Sequence, residues 1–89
     1  MDNILIVHSG DNVGVALTAI AEGEAVIAKG KDLFSALEAI PASHKVALTD
    51  IAANEEVIKY GETIAVSTQL IKQGQWVHTH NLSSGMWKK

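Results

Sequence analysis

The chain repeats itself, and nothing else in it restricts the fold so tightly. The segment VALTAIAEGEAV, Val15–Val26, aligns without a gap on VALTDIAANEEV, Val46–Val57, 31 residues further along. At the same offset Ile27 meets Ile58, Gly30 meets Gly61, Leu33 meets Ile64, Ile40 meets Ile71 and Val46 meets Val77. Comparing Val15–Val46 with Val46–Val77 gives 12 identities in 32 positions. Ordinary composition would give roughly two, and drift into an Ala/Val-rich composition about four or five. The chain is therefore two copies of one unit.

Each half holds a weaker second copy of the same pattern, SALEAIPASHKV (Ser35–Val46) and VSTQLIKQGQWV (Val66–Val77). All four versions place an Ile six residues before a Val, with Ala-Glu-Gly-Glu, Pro-Ala-Ser-His, Ala-Ala-Asn-Glu or Lys-Gln-Gly-Gln between them. Gly23, Ser43, Asn54 and Gly74 fall at one position of that stretch. Gly and Asn there supply the positive φ of a tight turn, and the only proline, Pro41, lies in one of these turns. The unit is thus strand, turn, strand. NILIVH, VGVAL, AVIA, KVAL, EVIK, TIAVST and WVHTH have the length and alternation of short strands. KDLFSALEAI competes with this pattern, because Asp32 is a possible N-cap and Leu33, Phe34, Leu37 and Ile40 lie near helical spacing. Its twin ETIAVSTQLI is β-branched and pulls it towards extended structure. The expected fold class is mostly β, with an internal pseudo-two-fold duplication and room for one short helix.

Composition removes several classes of function. With 89 residues the chain is one domain that buries roughly two-thirds or a little less of its unfolded surface. The only aromatics are Trp76, Trp87, Tyr60 and Phe34, so the core must be built from Val, Ile, Leu and Ala. The absence of cysteine excludes disulfides, thiolate-held clusters and thiol nucleophiles. A net charge of −3 with no basic run argues against nucleic acid as a partner. The apolar run ILIV is too short for a signal sequence or a membrane span, so the chain reads as soluble and cytoplasmic, without a membrane partner.

The stretch IPASHKVALTDIAANEEVIKYGETIAVSTQLIKQGQWVHTHNL, Ile40–Leu82, together with DNVGVAL at Asp11–Leu17, resembles the N-terminal SAF domain of the altronate dehydratase family. The combination of HKVALTDI, VIKYGE and VHTHN carries the likeness. It implies a β-clip fold over residues 1–82, with residues 83–89 as a C-terminal tail. In that family the domain is either fused to a large catalytic region or made as a separate small subunit. This chain ends soon after the module, and so resembles the separate subunits of altronate dehydratase or sulfolactate sulfo-lyase. The implied chemistry is elimination of water or sulfite from a hydroxy acid. The implied cofactor is Fe(2+) or another divalent metal, shared with a large catalytic lyase subunit. Three positions depart from the family pattern: Ser43 and Ala65, where Gly is usual, and Asn54 in the turn Ala53-Asn54-Glu55.

Against that background the polar residues divide into groups. His78 and His80, on an extended segment, would share one face with Cβ atoms about 6.5–7 Å apart. They are either metal ligands or a solvent-facing pair, and two ligands are not a full site, so a third must come from His44 or another subunit. His44 and Lys45 follow a turn and can meet a sugar-acid carboxylate, or simply decorate it. Lys59 and Tyr60 have no counterpart of like chemistry in the first half, and stand as substrate-binding candidates for that reason. Trp87 is either an anchor for a partner or part of an unpaired tail, and His8, Asp11 and Asn12 read as strand-end and turn residues. No clustered carboxylates or nucleophile–base pair are visible, so no catalytic residue is assigned. The expectation is a non-catalytic or half-site small subunit. The alternatives are a free-standing sugar-acid or metal-binding module, a homo-oligomer when isolated, and a purely structural piece.

Overall fold

The computed structural model describes residues 1–83; Trp87 and most of the expected tail lie outside the described residues. Within them the chain forms strands only: β1 (Ile4–Leu5), β2 (Val13–Ala16), β3 (Ala25–Ala28), β4 (Lys31–Ser35), β5 (Lys45–Ala47), β6 (Glu56–Lys59), β7 (Glu62–Ser67), β8 (Trp76–Val77) and β9 (Leu82–Ser83). The mostly β expectation holds, and the arrangement agrees with a β-clip. The short helix does not form. Along residues 33–40 burial alternates, with Phe34, Ala36, Glu38 and Ile40 turned inward and Leu33, Ser35, Leu37 and Ala39 outward. Phe34 pairs with Val26 across the β3–β4 ladder, and that tertiary pairing overrides the local helix propensity.

The duplication is reproduced in detail. Gly23, Ser43, Asn54 and Gly74 have φ of 85°, 70°, 68° and 91°. Each turn closes when the amide after that residue donates to the carbonyl three positions back: Glu24 to Ala21, His44 to Pro41, Glu55 to Ala52 and Gln75 to Lys72. Positive φ at the third residue makes these type II turns. The flanking isoleucines form two antiparallel bridges, Ile20 with Ile40 and Ile51 with Ile71. These four, together with Val26, Val46, Val57 and Val77, are at most 1% exposed. Gly74 has a second constraint, since a Cβ there would lie 2.8 Å from the Ser35 carbonyl oxygen.

Between the turns stand two hairpins, β3–β4 and β6–β7. Both reverse through two residues of positive φ, Lys29-Gly30 and Tyr60-Gly61, which is the type I′ connection. Both ladders also shift register at the same place, between Val26 and Ile27 and between Val57 and Ile58. A central antiparallel sheet, ordered β1-β2-β5-β8, separates two cores. Neighbouring residues of a strand point to opposite faces, so Val46 joins the first core with Val26, Ala28 and Ile4. Ala47 and Val77 join the second with Val57 and Ile71.

An Asp-Asn dipeptide stitches each hairpin to a strand of the central sheet. Asn3 donates from Nδ2 to the Ala25 carbonyl (2.8 Å) and accepts at Oδ1 from the Ile27 amide (2.7 Å). Asn12 does the same with the Glu56 carbonyl (2.9 Å) and the Ile58 amide (2.7 Å). The neighbouring aspartates reach the hairpin tips, where Asp2 accepts from the Lys29 and Gly30 amides and Asp11 from the Gly61 amide. The bonds from Gly30 and Lys29 hold the Asp2 carboxyl below the usual carboxylate range. For Asp11, desolvation pushes upward, but the amides of Gly61, His8, Tyr60 and Val7 together outweigh it and the net shift is downward.

A carboxylate whose pKa is lower in the folded than in the unfolded chain stabilises the fold fully above its unfolded pKa, about 3.9. That stabilisation is lost as pH falls through the lower folded value. Asp2→Asn and Asp11→Asn are therefore expected to melt below the wild type at neutral pH, with the gap closing in melts taken below about pH 4. A gap of constant size down to pH 3 would contradict this assignment.

Candidate functional site

The ladder between β5 and β8 builds the site. Lys45 lies opposite Val77 and Val46 opposite Trp76, and the same register carried one residue further sets His44 against His78. Their ring centroids are 4.6 Å apart. Trp76 lies within the same group: its indole stacks on His78 at 5.5 Å with planes 9° apart, and meets His80 at 5.2 Å and His44 at 5.6 Å. Three imidazoles thus gather around one indole.

Two local features make this possible. In three of the four turns the fourth residue's side chain caps the amide of the first: Glu24 accepts from Ala21, Glu55 from Ala52 and Gln75 from Lys72. The remaining turn begins at Pro41, which has no amide hydrogen to cap. His44, at the capping position, is released, and its Nδ1 accepts from Trp76 Nε1 at 3.1 Å. The second feature is Asn81, which is 3% exposed. Its Oδ1 accepts from the His78 amide, its Nδ2 donates to the Trp76 carbonyl, and its own amide donates to the His78 carbonyl. Those bonds bend residues 78–81 into a turn. The expected strand through His80 accordingly ends at Val77, and His78 and His80 converge on Trp76 by a turn instead of by strand alternation.

Lys45 points to the other face of β5, where it lines a shallow pocket of about 280 Å³ with Ala65, His78, Thr79, Leu82 and Ser83. Burial lowers the Lys45 ammonium pKa, and the nearby Lys59 charge lowers it further. For His78, desolvation again comes first, followed by the charges of His44, Lys45 and His80, and together they disfavour its protonated form. Of the candidate residues, His44, Lys45, His78 and His80 come together and Lys59 is coupled to them through Lys45. Tyr60 stands apart at the hairpin tip, 42% exposed, with the Lys59 ammonium 5.2 Å from its ring centroid.

Among the described residues no group of three or more His, Cys, Asp or Glu side chains is placed to hold a metal ion. His44 cannot serve as the third ligand through Nδ1 while that atom accepts from the indole. The described residues of this chain do not by themselves fit a complete divalent-metal centre. Trp76 and Asn81 were not anticipated from the sequence. Pro41 at a turn position otherwise followed by a capping Glu or Gln was the one signal that His44 was unusual.

A doubled hairpin fold with an open, donor-rich face defines a small β-clip domain, and comparison with known proteins narrows it further. Residues 2–85 match the altronate/galactarate dehydratase SAF domain, and the chain belongs to that family. It is 34% identical over 86 residues to altronate dehydratase of Bacillus subtilis (strain 168), covering 97% of this chain but 17% of that protein. It is 44% identical over 54 residues to the (2R)-sulfolactate sulfo-lyase subunit alpha of Chromohalobacter salexigens, covering 61% of this chain and 57% of the relative. The corresponding subunit alpha of Paracoccus pantotrophus is matched over its whole length, 100%, at 34% identity. Among the described residues no helix is long and apolar enough to cross a membrane.

Proposed function

We propose that this chain is the small subunit of a hydroxy-acid lyase, either altronate dehydratase-like or sulfolactate sulfo-lyase-like. In this reading it presents the neighbouring side chains of His44, Lys45, His78 and His80 to a separate large catalytic subunit. The supporting observation is the grouping of three imidazoles around Trp76, one of which, His78, lines a pocket of about 280 Å³ together with Lys45. That volume lies at or below the small end of ligand sites, about 300–1,000 Å³, so a hydroxy acid seated there keeps one side uncovered until another surface closes over it. Lys45 and the His44 Nε2–H suit the substrate carboxylate or hydroxyl as charge-assisted donors. Lys59 extends the cationic side, and Tyr60 marks its outer limit.

An elimination also needs a base for the proton α to the carboxylate and an acid or metal at the leaving group; both are assigned to the large subunit. The proposed Fe(2+) or other divalent metal would polarise the leaving group when bound. This chain's contribution to it would be the imidazoles of His78 and His80, with the remaining ligands from the partner. The subunit names of the sulfo-lyase relatives support a two-chain arrangement.

The test is to co-express the full chain with a large lyase subunit and assay altronate and sulfolactate side by side. Co-purification, with elimination seen only in the mixture, is the expected result. A lone monomer or homodimer that binds a sugar acid and ignores the large subunit would overturn the proposal in favour of a free-standing binding module.

A further inference from the structure

We infer that Trp76 is a positioning residue that fixes the tautomer of His44, so that the proton of the neutral ring sits on Nε2, the nitrogen left available to a ligand. The inference rests on the reading of His44 as a substrate contact, and it deepens that reading by naming the group that makes it a donor. An indole nitrogen can only donate a hydrogen bond. The 3.1 Å contact from Trp76 Nε1 to His44 Nδ1 therefore requires a lone pair on Nδ1. In the neutral imidazole that leaves the hydrogen on Nε2. An imidazole so arranged offers a hydrogen to a carboxylate or a departing oxygen, and offers no free lone pair to a metal.

Three further observations indicate that the contact is built in. The Trp76 backbone is held on both sides, its amide donating to Glu38 Oε2 at 3.0 Å and its carbonyl accepting from Asn81 Nδ2 at 2.9 Å. Its ring packs against the first core, so the donor is preorganised by residues outside the site. His44 is also free to answer it, because Pro41 removes the amide that the fourth turn residue caps in the other three copies. With proline at 41, histidine at 44 in place of the capping Glu or Gln, and the indole of Trp76 opposite, a turn-capping position becomes an oriented imidazole.

The experiment reads the tautomer in the full chain without any partner. Long-range proton–nitrogen correlation on ¹⁵N-labelled protein at mildly alkaline pH should place His44 Nδ1 as the unprotonated nitrogen and Nε2 as the protonated one. A coupling across the hydrogen bond from Trp76 Nε1 to His44 Nδ1 should be detectable. In Trp76→Phe the coupling disappears and His44 redistributes between tautomers. In the reconstituted complex turnover then falls about tenfold or more, the usual scale for losing an orienting partner, with KM moving less. A wild-type His44 protonated at Nδ1, or a folded Trp76→Phe protein with unchanged His44 nitrogen shifts, overturns the inference. If Trp76→Phe does not fold, the wild-type coupling decides alone. An active complex with Nδ1 protonated sinks this inference and leaves the lyase reading intact; an inert mixture with the expected tautomer does the reverse.

Discussion

Replacing His78 or His80 by Ala is expected to lower the turnover of the reconstituted lyase complex, or its metal content, by well over tenfold, while the isolated subunit melts close to the wild type. The two halves of that expectation have separate physical grounds. His80 is exposed and His78 half-buried, and both lie on a turn whose shape is set by Asn81, so removing either imidazole leaves the core untouched. Substitutions of that kind usually stay within about 0.5 kcal/mol in stability. Loss of even the partner that orients a metal ligand typically costs about 10–100-fold in metal affinity or activity, and loss of the ligand itself costs at least as much. A rate effect without a stability effect therefore isolates chemistry. His78, stacked on Trp76 and 4.6 Å from His44, should show the larger loss. Wild-type rates and metal content in both variants would reduce the pair to surface polarity and remove it from the site.

Asn3→Ala should destabilise the isolated domain by about 2–4 kcal/mol, and Asn12→Ala by less. Each asparagine makes two side-chain hydrogen bonds to a hairpin backbone. A bond of this type contributes about 1 kcal/mol, and a buried partner left unsatisfied adds a desolvation penalty of about 1–3 kcal/mol. Asn3 is 8% exposed, so the Ala25 carbonyl and Ile27 amide have poor access to replacement water. Asn12 is half-buried, and water can partly take its place. In a domain of this size 1 kcal/mol shifts the melting temperature by about 4–8 °C, so Asn3→Ala should melt about 10 °C or more below the wild type. Equal losses in the two variants would show that burial does not set the difference, and an unchanged Asn3→Ala melt would remove the stitching role altogether.

The same residues show what the sequence could reveal. The turns were legible because Gly23, Asn54 and Gly74 carry the composition that positive φ demands, and Ser43 could be placed by alignment with them. The Asp-Asn pairs were not, although both are in plain view. The backbone groups they hold recur at an interval of 31 residues, Ile27 to Ile58, while the pairs themselves recur at nine, Asp2 to Asp11, so a search at the main period passes over them. The short helix allowed for along Lys31–Ile40, against the extended structure that the duplication favoured, rested on spacing that propensity alone supports; the partner strand that decides the matter is set by three-dimensional pairing. The strand expected through His80 failed for a similar reason, since the bend comes from Asn81, a residue beyond the motif. The candidate residues were partly legible: His44, Lys45, His78 and His80 were singled out as chemistry, but the indole that gathers the three imidazoles was not.

The proline-led turn also bears on how such a scaffold acquires new roles. Three equivalent corners of the molecule still keep a Glu or Gln occupied in local upkeep, at Glu24, Glu55 and Gln75. Exchanging the first residue of any of them for proline would set that side chain loose without breaking the backbone bond that closes the corner. Duplication has in this way left the chain with spare vertices, each one substitution from presenting a fresh functional group to solvent.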